Sequence, residues 1–422
     1  MNQDSAFFHR LKAEIDRIPL VSTHEHTLSG EERARIKVDL FRLLVHVSLD
    51  LLSSGLDENP LELDIPAAEK WNRIQPYMQE VCTTGFFRIM RLAFQELFGF
   101  DEDSITGRNW ESLNEKILER ANRPGWVSHV LKERANIDKA ILDTGRLDCD
   151  RSLFAPVLRF DNFIAAGNLL RSKENLQKEF SLSITRLRDV MEILERSLER
   201  LIEGGGVGIK SAYAAASRQI SYEVTPEPEA ARSLDWLLRA GDSYVPYDLR
   251  AKPFEDYMMH YLVRRAAEED LPIQIHTGMQ GGMFGVISNA SPMHLQSLMI
   301  AHPQAQFDLF HGGFPYIREL IALAKAYPSV HVDFCWFVGV SPAMAKQSLS
   351  EAIDAVPAHK ILAFGGDSSM AEGTYGAAIL TRQIVTEVLA EKVASGAFGE
   401  ALAVRLGWKL LRENARQLFA LE

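Results

Sequence analysis

Two histidines separated by one residue, His24 and His26, follow a short apolar segment near the start of the sequence. Successive side chains of a β-strand point to opposite faces, so residues at i and i+2 share a face. The spacing therefore brings two imidazoles together, and their nitrogens could bind a single metal ion. The pair alone is a weak indication, because polar turns also contain histidine.

Further polar residues stand at the ends of other short apolar segments. In chain order they are Arg159, Asp161, Lys210, His276, His311 and Asp367. Imidazole nitrogen and carboxylate oxygen suit zinc, with manganese as the alternative divalent ion. No cysteine accompanies these residues, whereas a structural zinc site would more often use cysteines. The set therefore favours a catalytic metal site with an open position.

The segments that end in these residues are rich in β-branched and apolar side chains and alternate with helical stretches. Eight strands are predicted, at residues 20–23, 137–142, 153–158, 206–210, 272–276, 307–311, 330–334 and 361–364. This alternation predicts an α/β fold of parallel strands separated by helices, and eight strands are the number in a TIM barrel. In a barrel the carboxyl ends of all strands meet in one ring, which makes distant residues neighbours.

Residues 40–135 interrupt this alternation with apolar residues at three- and four-residue spacing, which is typical of amphipathic helices. We interpret them as a helical insertion in a barrel domain formed by residues 1–39 and 136–422. Loops after barrel strands rise from the face that carries the active site, so the insertion would roof that site. The alternative is a separate helical domain without a catalytic role.

Three basic residues are candidates for substrate binding. Arg159 and Arg382, if they face the same opening, would bind a substrate carboxylate through paired hydrogen bonds. Lys210 could reach solvent, pair with Asp161 or Asp367, bind an anionic substrate, or bridge two metals as a carbamate. The alternative for Asp367 is a helix N-cap.

Composition limits the partners of the protein. The 422 residues include 46 basic and 57 acidic side chains, a net charge of −11, with no basic cluster for nucleic acid. We expect no membrane span and no secretory signal, because the longest apolar stretches are short and the N-terminus is polar. Three widely spaced cysteines suit a reducing compartment, so we expect a cytoplasmic location. We also expect a homo-oligomer that acts on a small molecule.

In this order the metal-site residues resemble those of the amidohydrolase superfamily. Lys210-Ser-Ala-Tyr, Gln274-Ile-His-Thr-Gly, Phe310-His-Gly-Gly-Phe-Pro-Tyr and Phe364-Gly-Gly-Asp are similar to the amidohydrolase-related branch that includes domains fused to glutamine-synthetase-like proteins. The insertion, with Glu96-Leu-Phe-Gly-Phe and Ala121-Asn-Arg-Pro, resembles that of uronate isomerases. However, Gly278-Met-Gln-Gly-Gly replaces the Arg-Asn-rich segment of those isomerases, which counts against sugar-acid isomerisation.

The resemblance implies roles for individual residues. His24, His26, His276 and Asp367 would hold the metal, and Asp367 would also take a proton from the attacking water. His311 would bind a second metal or polarise the substrate. The implied function is metal-dependent hydrolysis of a small polar, carboxylate-bearing molecule. The alternatives are non-oxidative decarboxylation, sugar-acid isomerisation and a non-catalytic binding domain.

Overall fold

The computed structural model describes residues 6–213, 218–282 and 285–421. Within these ranges, short parallel strands recur along the chain and alternate with helices. The strands are β1 (Leu20–Glu25), β2 (Ile137–Leu142), β3 (Phe154–Pro156), β4 (Leu158–Arg159), β5 (Ile209–Ser211), β6 (Ile273–Ile275), β7 (Phe307–Leu309), β8 (Val330–Asp333) and β9 (Ile361–Leu362). Each coincides with a strand predicted from the sequence.

The strands follow one another in space as they do in sequence. β1 to β3 form one parallel sheet and β4 to β9 another, and Val157 alone separates β3 from β4, which are thus two halves of one strand. The Thr23 amide donates to the Phe364 carbonyl at 3.0 Å, and the Asp367 amide donates to the His24 carbonyl at 2.9 Å. These bonds join the segment after β9 to β1, and the fold is a TIM barrel, as predicted.

Helices fill the connection between β1 and β2. After α1 (Ala6–Arg17), which precedes β1, they are α2 (Gly30–Ile36), α3 (Leu40–Leu43), α4 (Ser48–Ser53), α5 (Ala67–Ile74), α6 (Met78–Val81), α7 (Gly85–Phe98), α8 (Trp110–Arg120) and α9 (Trp126–Ser128). Ser29 and Thr84 cap α2 and α7 by accepting backbone N–H groups. The helical character of residues 40–135 is therefore present, while their role as a roof stays a prediction.

The remaining helices follow the later strands. They are α10 (Asp161–Ile164), α11 (Ala166–Phe180), α12 (Leu187–Glu203), α13 (Glu227–Ala240), α14 (Lys252–Glu268), α15 (Gln296–Ala301), α16 (Ile317–Ala326), α17 (Phe337–Val340), α18 (Pro342–Ala355), α19 (Ala371–Ala394), α20 (Glu400–Trp408) and α21 (Asn414–Leu418). None of the helices in the described ranges has both the length and the apolar character needed to cross a bilayer.

One crossover departs from the prediction that helices separate all the strands. Residues 143–153, between β2 and β3, form turns and bends without a helix. The segment contains three aspartates and a glycine, which favour turns over helix. The Arg151 guanidinium donates to the carbonyls of Leu147 and Gly205, which fixes the segment against the chain before β5.

Helix α19 starts four residues after Asp367 and is buried along most of its length. It packs against α7, α1, α18 and α20, which explains why its apolar residues are not confined to one face. Its approach to α7 is close, because a Cβ on Gly376 would lie only 2.1 Å from the Ile89 carbonyl oxygen. This packing fixes the helix that follows the Asp367 segment.

Candidate metal centre

Three of the predicted metal ligands meet at the carboxyl ends of β1 and β9. The rings of His24 and His26 lie 4.7 Å apart, as the i, i+2 spacing requires. Asp367 Oδ1 is 3.8 Å from His24 Nε2 and 3.1 Å from His26 Nε2. One ligand atom from each residue thus lies within 4.8 Å of the other two, which is close enough for a shared metal ion.

Hydrogen bonds at Nδ1 orient three imidazoles of the site. His24 Nδ1 donates to Gln274 Oε1 at 3.3 Å, and His26 Nδ1 donates to the Asp143 carbonyl at 2.6 Å. His311 Nδ1 donates to the Cys335 carbonyl at 2.9 Å. These oxygens only accept, so we assign the proton to Nδ1, which leaves Nε2 as the nitrogen able to bind a metal.

The Gln274 amide is itself held in the orientation that this assignment needs. Its Nε2 donates to the Thr23 carbonyl at 2.8 Å and to Asp308 Oδ2 at 3.0 Å. Both amide hydrogens are therefore committed, and Oε1 is the atom that faces His24. A residue in the middle of β6 thus determines the tautomer of a predicted ligand on β1.

His276 and His311 form a second pair of imidazoles beside Asp367. His311 Nε2 is 3.9 Å from Asp367 Oδ2 and 3.3 Å from His276 Nδ1. His276 Nε2 donates to the Met279 carbonyl at 3.1 Å, so its Nδ1 carries no proton when the ring is neutral. His276 therefore contacts His311, whereas the compact ligand group contains His24, His26 and Asp367.

These distances fit a divalent metal ion. Ligand atoms about 2.1 Å from a tetrahedral zinc ion lie about 3.4 Å from one another. The separations between donor atoms of neighbouring side chains range from 3.1 to 3.9 Å. Two neutral imidazoles that face each other through unprotonated nitrogens repel, so a cation beside His276 and His311 would remove an unfavourable contact.

The charge state of the carboxylate also suits a cation site. Burial would raise the pKa of Asp367. In the metal-free protein, however, Asp367 raises the pKa of His26, and the proton that His26 then carries on Nε2 is donated to Asp367. This bond and the neighbouring imidazoles hold the pKa of Asp367 well below its usual range. Asp367 is therefore ionised at neutral pH. Its side chain is 16% exposed and that of His26 is 31% exposed, whereas His24 and His311 are 1% exposed, so the site opens to solvent on the His26 side.

The model of the Amidohydrolase family matches residues 212–421, about half of the protein. The chain belongs to the amidohydrolase superfamily. The fluG protein of Emericella nidulans is 27% identical over 176 residues, 40% of this chain, and the matched segment spans only 20% of that relative.

Solved structures share the fold of this amidohydrolase-superfamily member at low sequence identity. The uronate isomerase of Thermotoga maritima has a TM-score of 0.80 at 15% identity, covering 98% of this chain and 97% of its own. The glucuronate isomerase of Caulobacter crescentus has a TM-score of 0.80 at 18% identity, covering 99% and 94%. A protein from Lactobacillus casei assigned as a metal-dependent hydrolase has a TM-score of 0.69 at 19% identity, covering 97% of both chains.

The amidohydrolase centre contains Cys335, which the sequence analysis did not place there. β8 ends two residues earlier, and the cysteine sulfur lies within 4.8 Å of ligand atoms of His311 and Asp367. The expectation of a site without cysteine is therefore wrong. Burial raises the pKa of the Cys335 thiol well above its usual value, so in the metal-free protein it is neutral.

Glu25, the residue between the paired histidines, holds the segment that carries Asp367. Its carboxylate accepts the backbone N–H groups of Gly366 at 3.0 Å and Ser368 at 3.1 Å, on either side of Asp367. The hydroxyl groups of Ser22 and Thr374 also donate to it. Burial raises the pKa of Glu25 to about 7, although the hydrogen bonds oppose this shift.

Close packing explains the glycine before Asp367. A Cβ on Gly366 would lie 2.5 Å from Glu25 Oε1, a distance that side chains do not tolerate. Asp367 itself has a positive φ of 49°, a strained conformation for a residue other than glycine. Strain of this kind concentrates at functional sites, where surrounding contacts maintain it.

Asp143 and Arg159 form the rim of the amidohydrolase centre. Arg159 Nε donates to Asp143 Oδ2 at 2.7 Å, and the same oxygen is 3.7 Å from His24 Nε2. The Arg159 side chain is 44% exposed, so it is accessible to a ligand. Asp143 directly follows β2, and the strand-end rule would have found it if applied to that strand.

Lys210 lies inside the barrel rather than at a solvent-facing rim. Its side chain is buried, and its Nζ is 3.5 Å from the centroid of the Phe310 ring, a cation–π contact. Burial lowers the pKa of Lys210, while the charges of Asp367 and Asp143 oppose this shift. The alternative that Lys210 reaches bulk solvent is therefore wrong, and its binding of an anion stays a prediction.

Arg382 does not face the site, and its predicted role in substrate binding is wrong. It lies in the middle of α19, and its guanidinium donates to the carbonyls of Ile15, Ile18 and Ala135. Ile18 and Ala135 lie two residues before the starts of β1 and β2, at the opposite end of the barrel from the metal centre. Arg382 thus satisfies backbone acceptors below the barrel.

His46, on the 3-10 turn Leu44–Val47 of the insertion, also approaches the centre. Its Nε2 is 2.5 Å from Ser368 Oγ, and Ser368 Oγ donates to the Met370 carbonyl, so the histidine is the donor. Burial lowers the pKa of His46 to about 4, so the ring is neutral. Sequence position gave no signal for this residue, because it lies on no strand end.

Proposed function

We propose that this protein is a metal-dependent hydrolase of a small, carboxylate-bearing molecule. The observation that carries the proposal is the convergence of three oriented imidazoles on one ionised carboxylate: His24, His26 and His311 each keep Nε2 for a metal and surround Asp367. Zinc is the proposed ion, with manganese as the alternative, because nitrogen donors dominate the set. The cytoplasm is the proposed location and a homo-oligomer the proposed state.

Individual residues of the site have separate proposed roles in hydrolysis. A divalent metal at this centre would act as a Lewis acid that activates water for attack. Asp367 is ionised and partly exposed, so it can accept a proton from that water and return it to the leaving group. His311 would polarise the substrate from the buried side. The substrate carboxylate would pair with Arg159 at the rim, and Lys210 would offset negative charge beneath it.

Isomerisation of a sugar acid on the same centre is the second candidate. It is supported by the similarity in fold to the uronate isomerase of Thermotoga maritima over nearly the whole chain. The glycine-rich segment Gly278–Gly282 argues against it, because glycines offer no side chains to bind sugar hydroxyl groups. Decarboxylation remains an alternative, and a screen that separates ammonia or acid release from CO₂ release and from isomerisation would distinguish the three.

Substitution Asp367→Asn tests the proposed mechanism. Asn cannot take the proton, so we expect turnover of any hydrolysed substrate to fall by about a hundredfold to ten-thousandfold at saturating zinc. Circular dichroism should show an unchanged fold. Asp16→Asn on α1, far from the centre, is the matched control and should retain full activity. Parental turnover in Asp367→Asn would contradict the mechanism.

A further inference from the structure

The crossover without a helix, residues 143–153, borders a cavity of about 800 Å³ next to the metal centre. A volume of this size is within the range of small-molecule sites. The irregular segment, β4 and residues of α10, α11 and α12 enclose the space. The missing helix therefore leaves room for a ligand beside the barrel.

The cavity reaches the centre through two residues. Asp143 and Arg159 both line it, and the Asp143 carboxylate is 3.7 Å from His24 Nε2. Arg159 uses Nε for its bond to Asp143, and neither Nη group has a hydrogen-bonding partner among the described residues. A carboxylate at the mouth of the cavity would thus find two free guanidinium donors close to the reacting position.

Beyond Arg159 the walls of the cavity are largely apolar. The side chains of Leu158, Phe160, Phe163, Leu176 and Phe180 line it. At the far end Glu179 and Arg200 pair with each other, so their charges offset one another. Thr144, Asn162 and Ser197 also line the cavity, but the apolar part of its walls offers no partner for the hydroxyl groups of a sugar, and a buried hydroxyl without a partner is unfavourable.

We propose that the substrate is a carboxylate that carries an apolar side chain, which enters this cavity while the carboxylate pairs with Arg159. This inference rests on the proposed function and adds the substrate class to it. One carbon atom of the substrate would then carry three groups. The reacting group would face the metal centre, the carboxylate would face Arg159, and the apolar side chain would enter the cavity.

Binding to the zinc-loaded protein, measured by calorimetry, tests the inference with four probes: N-acetylglycine, N-acetylleucine, N-acetylphenylalanine and glucuronate. The first three share one carboxylate and one amide and differ only in side chain. Burial of a leucine or phenylalanine side chain should tighten Kd at least tenfold relative to N-acetylglycine. Glucuronate should bind no tighter than N-acetylglycine.

Three variants locate the binding site. Ser197→Trp, on the α12 wall, would fill the cavity and should abolish the preference for leucine and phenylalanine while retaining N-acetylglycine. Arg159→Gln should weaken all three N-acetyl probes at least tenfold. Val127 lines a different cavity, of about 740 Å³, so Val127→Ala should leave every Kd unchanged.

The outcomes separate this inference from the proposed function. Equal affinities for the three N-acetyl probes, tighter binding of glucuronate, or no detectable binding of the apolar probes by zinc-loaded protein would overturn the substrate class. A preference that persists in Ser197→Trp would overturn the cavity as its source. Failure of the protein to bind zinc at all would instead contradict the proposed function itself.

Discussion

Each imidazole of the centre depends on a neighbour that fixes the nitrogen it presents. Nδ1 of each imidazole donates to a fixed acceptor: the Gln274 side chain for His24, the Asp143 carbonyl for His26 and the Cys335 carbonyl for His311. Glu25 positions Asp367 by accepting the backbone N–H groups on either side of it. Such outer partners set the orientation and basicity of metal ligands. These hydrogen bonds therefore orient the ligand side chains of the centre before a metal binds.

Substitution Glu25→Gln tests whether Glu25 positions Asp367 for metal binding. A glutamine places an NH₂ group against the N–H of either Gly366 or Ser368, so one buried donor loses its acceptor and the Asp367 segment shifts. We expect zinc affinity to fall about tenfold to a hundredfold. Competition with a chromophoric chelator measures this affinity.

The control for this substitution is Glu195→Gln, whose carboxylate binds Arg265 and Tyr261 away from the centre. It removes a comparable set of hydrogen bonds and should retain the parental zinc affinity. If Glu25→Gln bound zinc as tightly as the parent, Glu25 would have no part in positioning Asp367.

Sequence alone locates much of the centre, because polar residues at the ends of apolar strands are informative. That rule finds His24, His26, His276, His311 and Asp367. It does not find His46, which reaches the centre through the packing of a helical insertion. Cys335 directly follows the predicted strand 330–334, so the same rule would have found it if applied to cysteine. Arg382, predicted separately as a partner of Arg159, lies on no strand end, and its sequence position does not reveal that its guanidinium points away from the opening.

At the scale of elements, a buried ion pair joins α2 to α19, and Trp126 of the insertion bonds to the same carboxylate. Arg33 on α2 donates to both carboxylate oxygens of Glu372, in the first turn of α19, at 2.6 and 3.1 Å. Trp126 Nε1 donates to the same carboxylate at 2.7 Å. Arg33 and Glu372 are both almost completely buried, so each charge relies on the other.

Substitution Glu372→Gln should therefore destabilise the protein. It leaves the Arg33 charge buried without compensation, at a cost of about 3–5 kcal/mol in the free energy of unfolding. The double variant Arg33→Met/Glu372→Gln should lose less than the sum of the single variants, as urea unfolding would show. Glu400→Gln, which removes an exposed pair with Arg10, should change the free energy by less than about 1 kcal/mol. Equal effects of the two Glu→Gln variants would contradict a docking role for Arg33.

The order of the strands follows from the alternation of apolar segments and helices, but the crossover after β2 does not. Residues 143–153 were expected to contain a helix, yet their aspartates and glycine favour turns, and Arg151 fixes them through backbone carbonyls. The bond from Arg151 to the Gly205 carbonyl joins residues 54 positions apart. Local sequence patterns contain no information on such contacts, which create the cavity beside the centre.

At the scale of the whole molecule, a buried histidine links stability to pH. His331 on β8 is 7% exposed, and burial lowers its pKa to about 4 from an ordinary value of about 6.5. Below pH 6.5 the His331 imidazole becomes protonated in the unfolded chain, whereas in the folded chain it stays neutral down to about pH 4. Stability is therefore lost as pH falls through this window, by about 2 kcal/mol at pH 5.

The variant His331→Gln checks this contribution. The free energy of unfolding of the parent should fall between pH 7.5 and pH 5, and the fall should be about 2 kcal/mol smaller in the variant. His9→Gln, at an exposed position on α1, should retain the parental pH dependence. The same pH dependence in His331→Gln and the parent would show that this histidine is not the linked group.

The proposed hydrolase activity requires that the oriented imidazoles and Asp367 bind a metal. The decisive measurement is the zinc content per chain after incubation with zinc and removal of unbound ions, in the parent, His26→Asn and His302→Asn. His302 contacts His260 outside the centre and serves as the matched control. We predict at least one zinc ion per chain in the parent and in His302→Asn, and most of it lost in His26→Asn. A parent without bound metal, or a His26→Asn variant that retains the parental content, would contradict the proposed centre.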